Sequence, residues 1–115
     1  MIEKISDRPQ ALLEGCNAAG LIAYQDDAIV SRILAKAVGG TVTLFAFDKG
    51  QLLSEHKTRF DALVYMVDGT AEFTVDGKPH RVSAGDALLL PADIPHAVTA
   101  LERFRMLLIM MRSGS

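Results

Sequence analysis

Gly50-Gln51-Leu52-Leu53-Ser54-Glu55-His56-Lys57-Thr58, running on through Asp61-Ala62 to Asp68-Gly69, places a histidine at the mouth of a predicted β-strand between turn glycines. A second histidine, His96, follows the loop Pro91-Ala92-Asp93-Ile94-Pro95. Any chemistry in this chain is expected where these two imidazoles meet.

Outward from this stretch the punctuation is that of an all-β protein. Ile29–Ala37 reads as a strand, and Gly39-Gly40 as a hairpin turn, because adjacent glycines accept positive φ freely. Thr41 to Phe47 is dense in β-branched and aromatic residues, and Asp48-Lys49-Gly50 turns it. Phe60–Val67 is a strand closed by Asp68-Gly69, and Ala71, Phe73 and Val75 share one face of the next. Asp76-Gly77 is the strongest hairpin signal. Lys78–Val82, Ala87–Leu90, His96–Leu101 and Phe104–Met111 complete the set. Short strands with turn signals about every 8–12 residues predict a sandwich or barrel. Before them, Pro9 to Leu13 opens a short helix, Gly15 and Gly20 bound a turn-rich link, and Leu21–Tyr24 is a further strand candidate. The organisation expected is an N-terminal extension over residues 1–20 that packs on a single barrel domain over 21–112. Arg112-Ser113-Gly114-Ser115 reads as a frayed tail.

The bulk numbers narrow the function. At 115 residues the chain supports one core, and a net charge of −2 argues against a nucleic-acid partner. A mean hydropathy of +0.23 is greasy for a small domain, as when a subunit interface hides apolar surface. The single cysteine, Cys16, forms no internal disulfide and points to a reducing compartment. The longest apolar run is roughly half the ~20 residues of a membrane helix. Met1 to Asp7 lacks the basic start and apolar core of a signal peptide, so a cytoplasmic protein is expected.

Gly50, His56, Thr58, Ala62 and Gly69 resemble the first motif of the cupin superfamily, which reads Gly, His-x-His, Glu, Gly. Gly85, Pro91 and His96 resemble the second, which reads Gly, Pro, Pro-His. The resemblance spans about residues 40 to 100 and implies a jelly-roll barrel, the double-stranded β-helix of small single-domain, RmlC-like cupins. In members with a metal, two histidines and a glutamate of the first motif and one histidine of the second are the ligands. His56 and His96 match. Thr58 stands where the second histidine belongs and Ala62 where the glutamate belongs; Asp93 and Ala100 replace a glycine and an asparagine. Two neutral imidazoles hold a divalent ion (Zn, Ni, Fe or Mn) only weakly, with water completing the shell. Asp61 and Glu55 are out of phase with the inward set and cannot stand in.

The same parity describes a pocket. His56, Thr58, Ala62, Val64 and Met66 face one way, and His96, Val98 and Ala100 line the facing wall, with Met106 adding an adaptable thioether. This is an apolar hole with two imidazoles at its rim, suited to a small molecule. His80 reads as a surface residue. Leu63, Tyr65 and Val67 make the same strand apolar on its other face, which calls for a second cover; a homodimer, also implied by the resemblance, supplies one. The reading expected is a small-molecule-binding protein with weak or no metal binding. The alternative is a small metal-dependent isomerase, decarboxylase or dioxygenase using His56 and His96 as ligands.

Overall fold

A computed structural model describes residues 9–112. Residues 1–8 of the expected extension, and residues 113–115 of the expected tail, lie outside the described residues. A short helix α1 (Gln10–Glu14) and a single 3-10 turn (Ala18–Leu21) precede nine strands. These are β1 (Ile29–Ala37), β2 (Gly40–Phe47), β3 (Leu52–His56), β4 (Asp61–Asp68), β5 (Thr70–Val75), β6 (Lys78–Ser83), β7 (Ala87–Leu90), β8 (His96–Ala100) and β9 (Phe104–Met111). Every pairing is antiparallel, in a five-stranded sheet ordered β1-β2-β9-β4-β7 and a four-stranded sheet ordered β3-β8-β5-β6. This is the jelly roll.

Local chemistry explains the turns. Asp76 (φ 51°) and Gly77 (φ 78°) both take positive φ, as a two-residue hairpin between right-twisted strands requires. The first hairpin turns one residue earlier than expected, on Val38 and Gly39, and Gly40 already belongs to β2. A side chain at Gly40 would run into the Met110 carbonyl oxygen, so this glycine is kept for close approach of β9. At Gly69 the chain leaves the larger sheet for the smaller with φ 80°, and a Cβ there would lie 2.6 Å from the Phe104 Cα.

The principal core fills the space between the sheets. Phe47, Val64, Met66, Ala71, Phe73, Phe104 and Met106 are buried there, with Phe47 and Phe104 stacked at 4.5 Å. A second cluster lies on the outer face of the larger sheet, where Leu44, Ala46 and Leu34 pack with Ile22, Leu12, Leu21 and Tyr24. The expected strand at Leu21–Tyr24 is therefore not a strand. It is a strap over the sheet, and side chains satisfy its backbone in place of a neighbouring strand. Arg105 donates to the carbonyls of Ala19 (2.7 Å) and Ile22 (3.1 Å), and Arg32 to that of Leu21 (2.8 Å).

Val67, one of the outward residues assigned to a partner, is covered by this strap. Tyr65 (43 % exposed) and its neighbour Leu89 on β7 (51 %) are not.

Arg105 is the centre of the strap's anchorage. Its guanidinium meets both Asp68 carboxylate oxygens at 2.6–3.2 Å, and the Tyr24 hydroxyl donates to the same carboxylate at 2.7 Å. The guanidinium also lies 4.6 Å from the Tyr24 ring centroid. Burial pushes the Tyr24 hydroxyl up to about 12, and its bond to Asp68 adds to this, so it remains a donor at neutral pH. Burial pushes the Asp68 carboxyl upward, but the hydrogen bonds from Arg105 and Tyr24 outweigh it and hold the group below the ordinary carboxylate range.

The sign follows. A depressed folded-state value stabilises above the unfolded value of 3.8 and is lost as pH falls through the folded one. Arg105→Ala, which strands a carboxylate and two carbonyls, is expected to cost roughly 1–3 kcal/mol in urea unfolding at pH 7. Asp68→Asn is expected to flatten the loss of stability below about pH 4. An unchanged acid limb in Asp68→Asn would refute the assignment.

Candidate functional site

The site is built where β3 meets β8. The two strands pair with His56 directly opposite His96, and the imidazole centroids stand 4.4 Å apart with their planes at 66°. The histidines are thus cross-strand neighbours in one sheet, and His96 does not belong to a wall facing His56 as strand parity alone suggested. A break in the β3–β8 register between Leu53 and His56 explains how two residues an odd number of positions apart both reach the cavity. His96 is buried and His56 is exposed, so the pair runs from the interior to the rim.

Each ring is held by its own main chain. His56 Nδ1 lies 2.9 Å from the Ser54 carbonyl and His96 Nδ1 3.3 Å from that of Ile94. Burial keeps His96 below the ordinary histidine value of 6.5; the neighbouring His56 lowers it further, and the bond to Ile94 opposes both.

The loop before His96 is fastened to the middle of the first motif. Asp93 N donates to the Thr58 carbonyl (2.7 Å) and Ala92 N to Asp61 Oδ1 (2.8 Å). Asp93 takes φ 64°, the left-handed conformation a glycine would favour at this position and one that aspartate tolerates.

A cavity of about 100 Å³ opens beside the pair. His56, Thr58, His96, Val98 and Met106 line it, as do Phe45, Leu53, Phe73, Leu90, Leu108 and Met110, which are not among the pocket residues expected from the sequence. Inward parity on β2, β5 and β9 was the signal for most of these. Ala62, Val64, Met66 and Ala100 share that parity but lie off the cavity, packed in the principal core. Ala62, Val64 and Met66 sit on β4 of the larger sheet, and Ala100 lies at the far end of β8 from His96. His80 is exposed on β6 and takes no part in the lining.

The residues do not fit the four-ligand cation centre that the sequence resemblance implies. The Thr58 hydroxyl donates to the Phe60 carbonyl (3.1 Å) and accepts from the Phe60 amide (3.3 Å), and Ala62 offers a methyl group. No group of three or more His, Cys, Asp or Glu residues among the described residues is arranged so that it could hold a metal ion.

Comparison with known proteins matches residues 43–110 to the cupin domain model. The chain belongs to the cupin family. It is similar to a conserved protein of unknown function from Streptococcus pyogenes (37% identity over 79% of this chain and 80% of that one, TM-score 0.74). A cupin 2 conserved barrel domain protein from Leptotrichia buccalis is 43% identical over 84% of this chain, with TM-score 0.80. The match covers only 47% of that protein, so this cupin spans about half of its length. A cupin superfamily protein from Desulfitobacterium hafniense matches 95% of this chain and 98% of its own at 28% identity and TM-score 0.85. No curated protein matches the chain.

The depressed His96 value has a defined consequence. The folded cupin takes up this proton less readily than the unfolded chain, so the contribution of neutral His96 is complete above pH 6.5 and is lost as pH falls through that value towards the lowered one. Titration of the ring protons by NMR is expected to place His96 below 6.5 and to move it up towards that value in His56→Ala. A wild-type midpoint at or above 6.5 would contradict the burial seen here.

Proposed function

We propose that this cupin binds a small, largely apolar molecule in the His56–His96 cavity and that any divalent ion there is held weakly. The observation that carries the reading is the lining itself: apolar side chains on nearly every side and two main-chain-anchored imidazoles at one end. Such a site orients a ligand through a few polar atoms and draws most of its affinity from apolar contact. The alternative, a metal-dependent isomerase, decarboxylase or dioxygenase, rests on the same two imidazoles and needs a cation with no anionic ligand beside it.

Metal analysis separates the two. Protein purified without chelator is expected to carry well under one equivalent of zinc, nickel, iron or manganese, with little change in His56→Ala or His96→Ala. Stoichiometric metal that disappears in both variants would overturn the reading in favour of the enzyme.

The proposal extends to a second copy of the chain as the cover for the remaining outer face. Ile109, Leu63 and Leu89 lie in register across β9, β4 and β7, beside Leu107, Tyr65 and Ala87, a continuous uncharged row. Sedimentation at micromolar concentration is expected to report a dimer, and Tyr65→Lys with Leu89→Lys a monomer of unchanged fold. A monomeric wild type would remove this part of the proposal.

A further inference from the structure

The polar atoms of the cavity have a one-sided inventory. A carbonyl oxygen only accepts, so the contacts of His56 Nδ1 with Ser54 O and of His96 Nδ1 with Ile94 O place the ring hydrogen on Nδ1 in both. In the neutral rings each Nε2 is then a bare lone pair, and neither Nε2 has a protein hydrogen-bond partner among the described residues. Thr58 is the third polar residue of the lining, and its hydroxyl hydrogen is spent on the Phe60 carbonyl. Among the described residues, no lysine or arginine lines the cavity. A ligand therefore meets acceptors and no unspent donor.

Resting on the reading of this cavity as the binding site, we propose that it selects a neutral hydroxyl compound, an alcohol or phenol, that donates its hydrogen to an imidazole Nε2. A carboxylate would bring lone pairs to lone pairs, and its charge would enter an apolar space with no cation to meet it. A hydrocarbon of the same shape would fill the walls and leave a partly buried acceptor unpaired. Size sets the scale of the buried part. At about 100 Å³ the enclosure is smaller than the ~150 Å³ cavity that takes up benzene. A short branched alcohol fits within it, and a ring fits with one edge towards the exposed His56 side and the Met106 and Met110 thioethers yielding.

The test uses chelator-treated full-length protein and follows the methionine methyl resonances by NMR during titration with matched pairs: phenol against toluene and benzoate, isobutanol against isobutyrate. The hydroxyl compounds are expected to shift the Met106 and Met110 methyls, phenol binding about fivefold or more tightly than toluene, the worth of one net hydrogen bond. The carboxylates are expected not to bind. The double variant His56→Leu with His96→Leu should abolish the preference for phenol over toluene while keeping toluene binding; His56→Leu alone, at an exposed position, should reduce that preference and provides the comparison should the double variant fail to fold.

Equal binding of phenol and toluene, or carboxylate binding that matches the hydroxyl compounds, would overturn the donor assignment and leave the cavity reading standing. Zinc binding at one equivalent that displaces phenol would reassign the two nitrogens to a cation and overturn it as well. Failure of every organic probe to move either methyl at millimolar concentration would overturn the cavity reading itself.

Discussion

Strands β4 and β9 are apolar on both faces, and the rest of the molecule is arranged by the need to cover them twice. The inner face is covered by the smaller sheet, which supplies Ala71, Phe73, Val98 and Ala100 to the common core. The outer face is covered partly by the strap that carries Leu21, Ile22 and Tyr24. A strap lying flat on a sheet cannot pair its backbone with strands beneath it, so its carbonyls need donors from below. Arg105 projects from β9 into that position, and Asp68 on β4 neutralises it. A charged pair on an otherwise apolar face is costly unless each member is fully hydrogen-bonded. Here the Tyr24 hydroxyl and the Arg105 main-chain amide add to the carboxylate's shell, and two strap carbonyls add to the guanidinium's. The pair thereby fixes where the strap lies.

Covering the inner face also creates the cavity. The two sheets pack closely at Val64, Met66 and Ala100 and less closely at the His96 end of β8, where Leu53, Phe45 and Leu108 leave space between them. Depth along the barrel therefore separates core from cavity, and two residues with identical inward parity have different surroundings.

That distinction marks the limit of what the chain made legible. The strands could be read because their boundaries are written in local chemistry: Asp76-Gly77 needs positive φ at both positions, and the alternation of Ala71, Phe73 and Val75 shows which face is inward. The motif residues brought His56 and His96 together for the same reason that they define the family. Pairing between strands distant in sequence has no comparable local mark. Parity made His56 and His96 both inward, but it could not tell that β3 and β8 are neighbours in one sheet, or that a bulge carries His56 onto the face of Leu53. The apolar residues of Leu21–Tyr24 suit a strand and a strap equally. Its state is decided by Arg105 and Arg32, which lie far along the chain from the carbonyls they bind.

The tautomer of the two histidines does not by itself distinguish a cation from a hydroxyl hydrogen, since both approach a bare Nε2. Charge does. A divalent ion between two neutral imidazoles in an apolar enclosure would keep its full charge with no anionic ligand, and only water at the His56 rim could compensate it. The family's glutamate position supplies that compensation when it is occupied; Ala62 removes it, and Thr58, closed on Phe60, does not restore it. A hydroxyl group asks for an acceptor and brings no net charge, so the same substitutions that weaken the site for a cation leave it intact for a neutral donor. On the proposed reading, Thr58 and Ala62 change the class of molecule the barrel can hold, while the bulge and the main-chain bonds still aim His56 and His96.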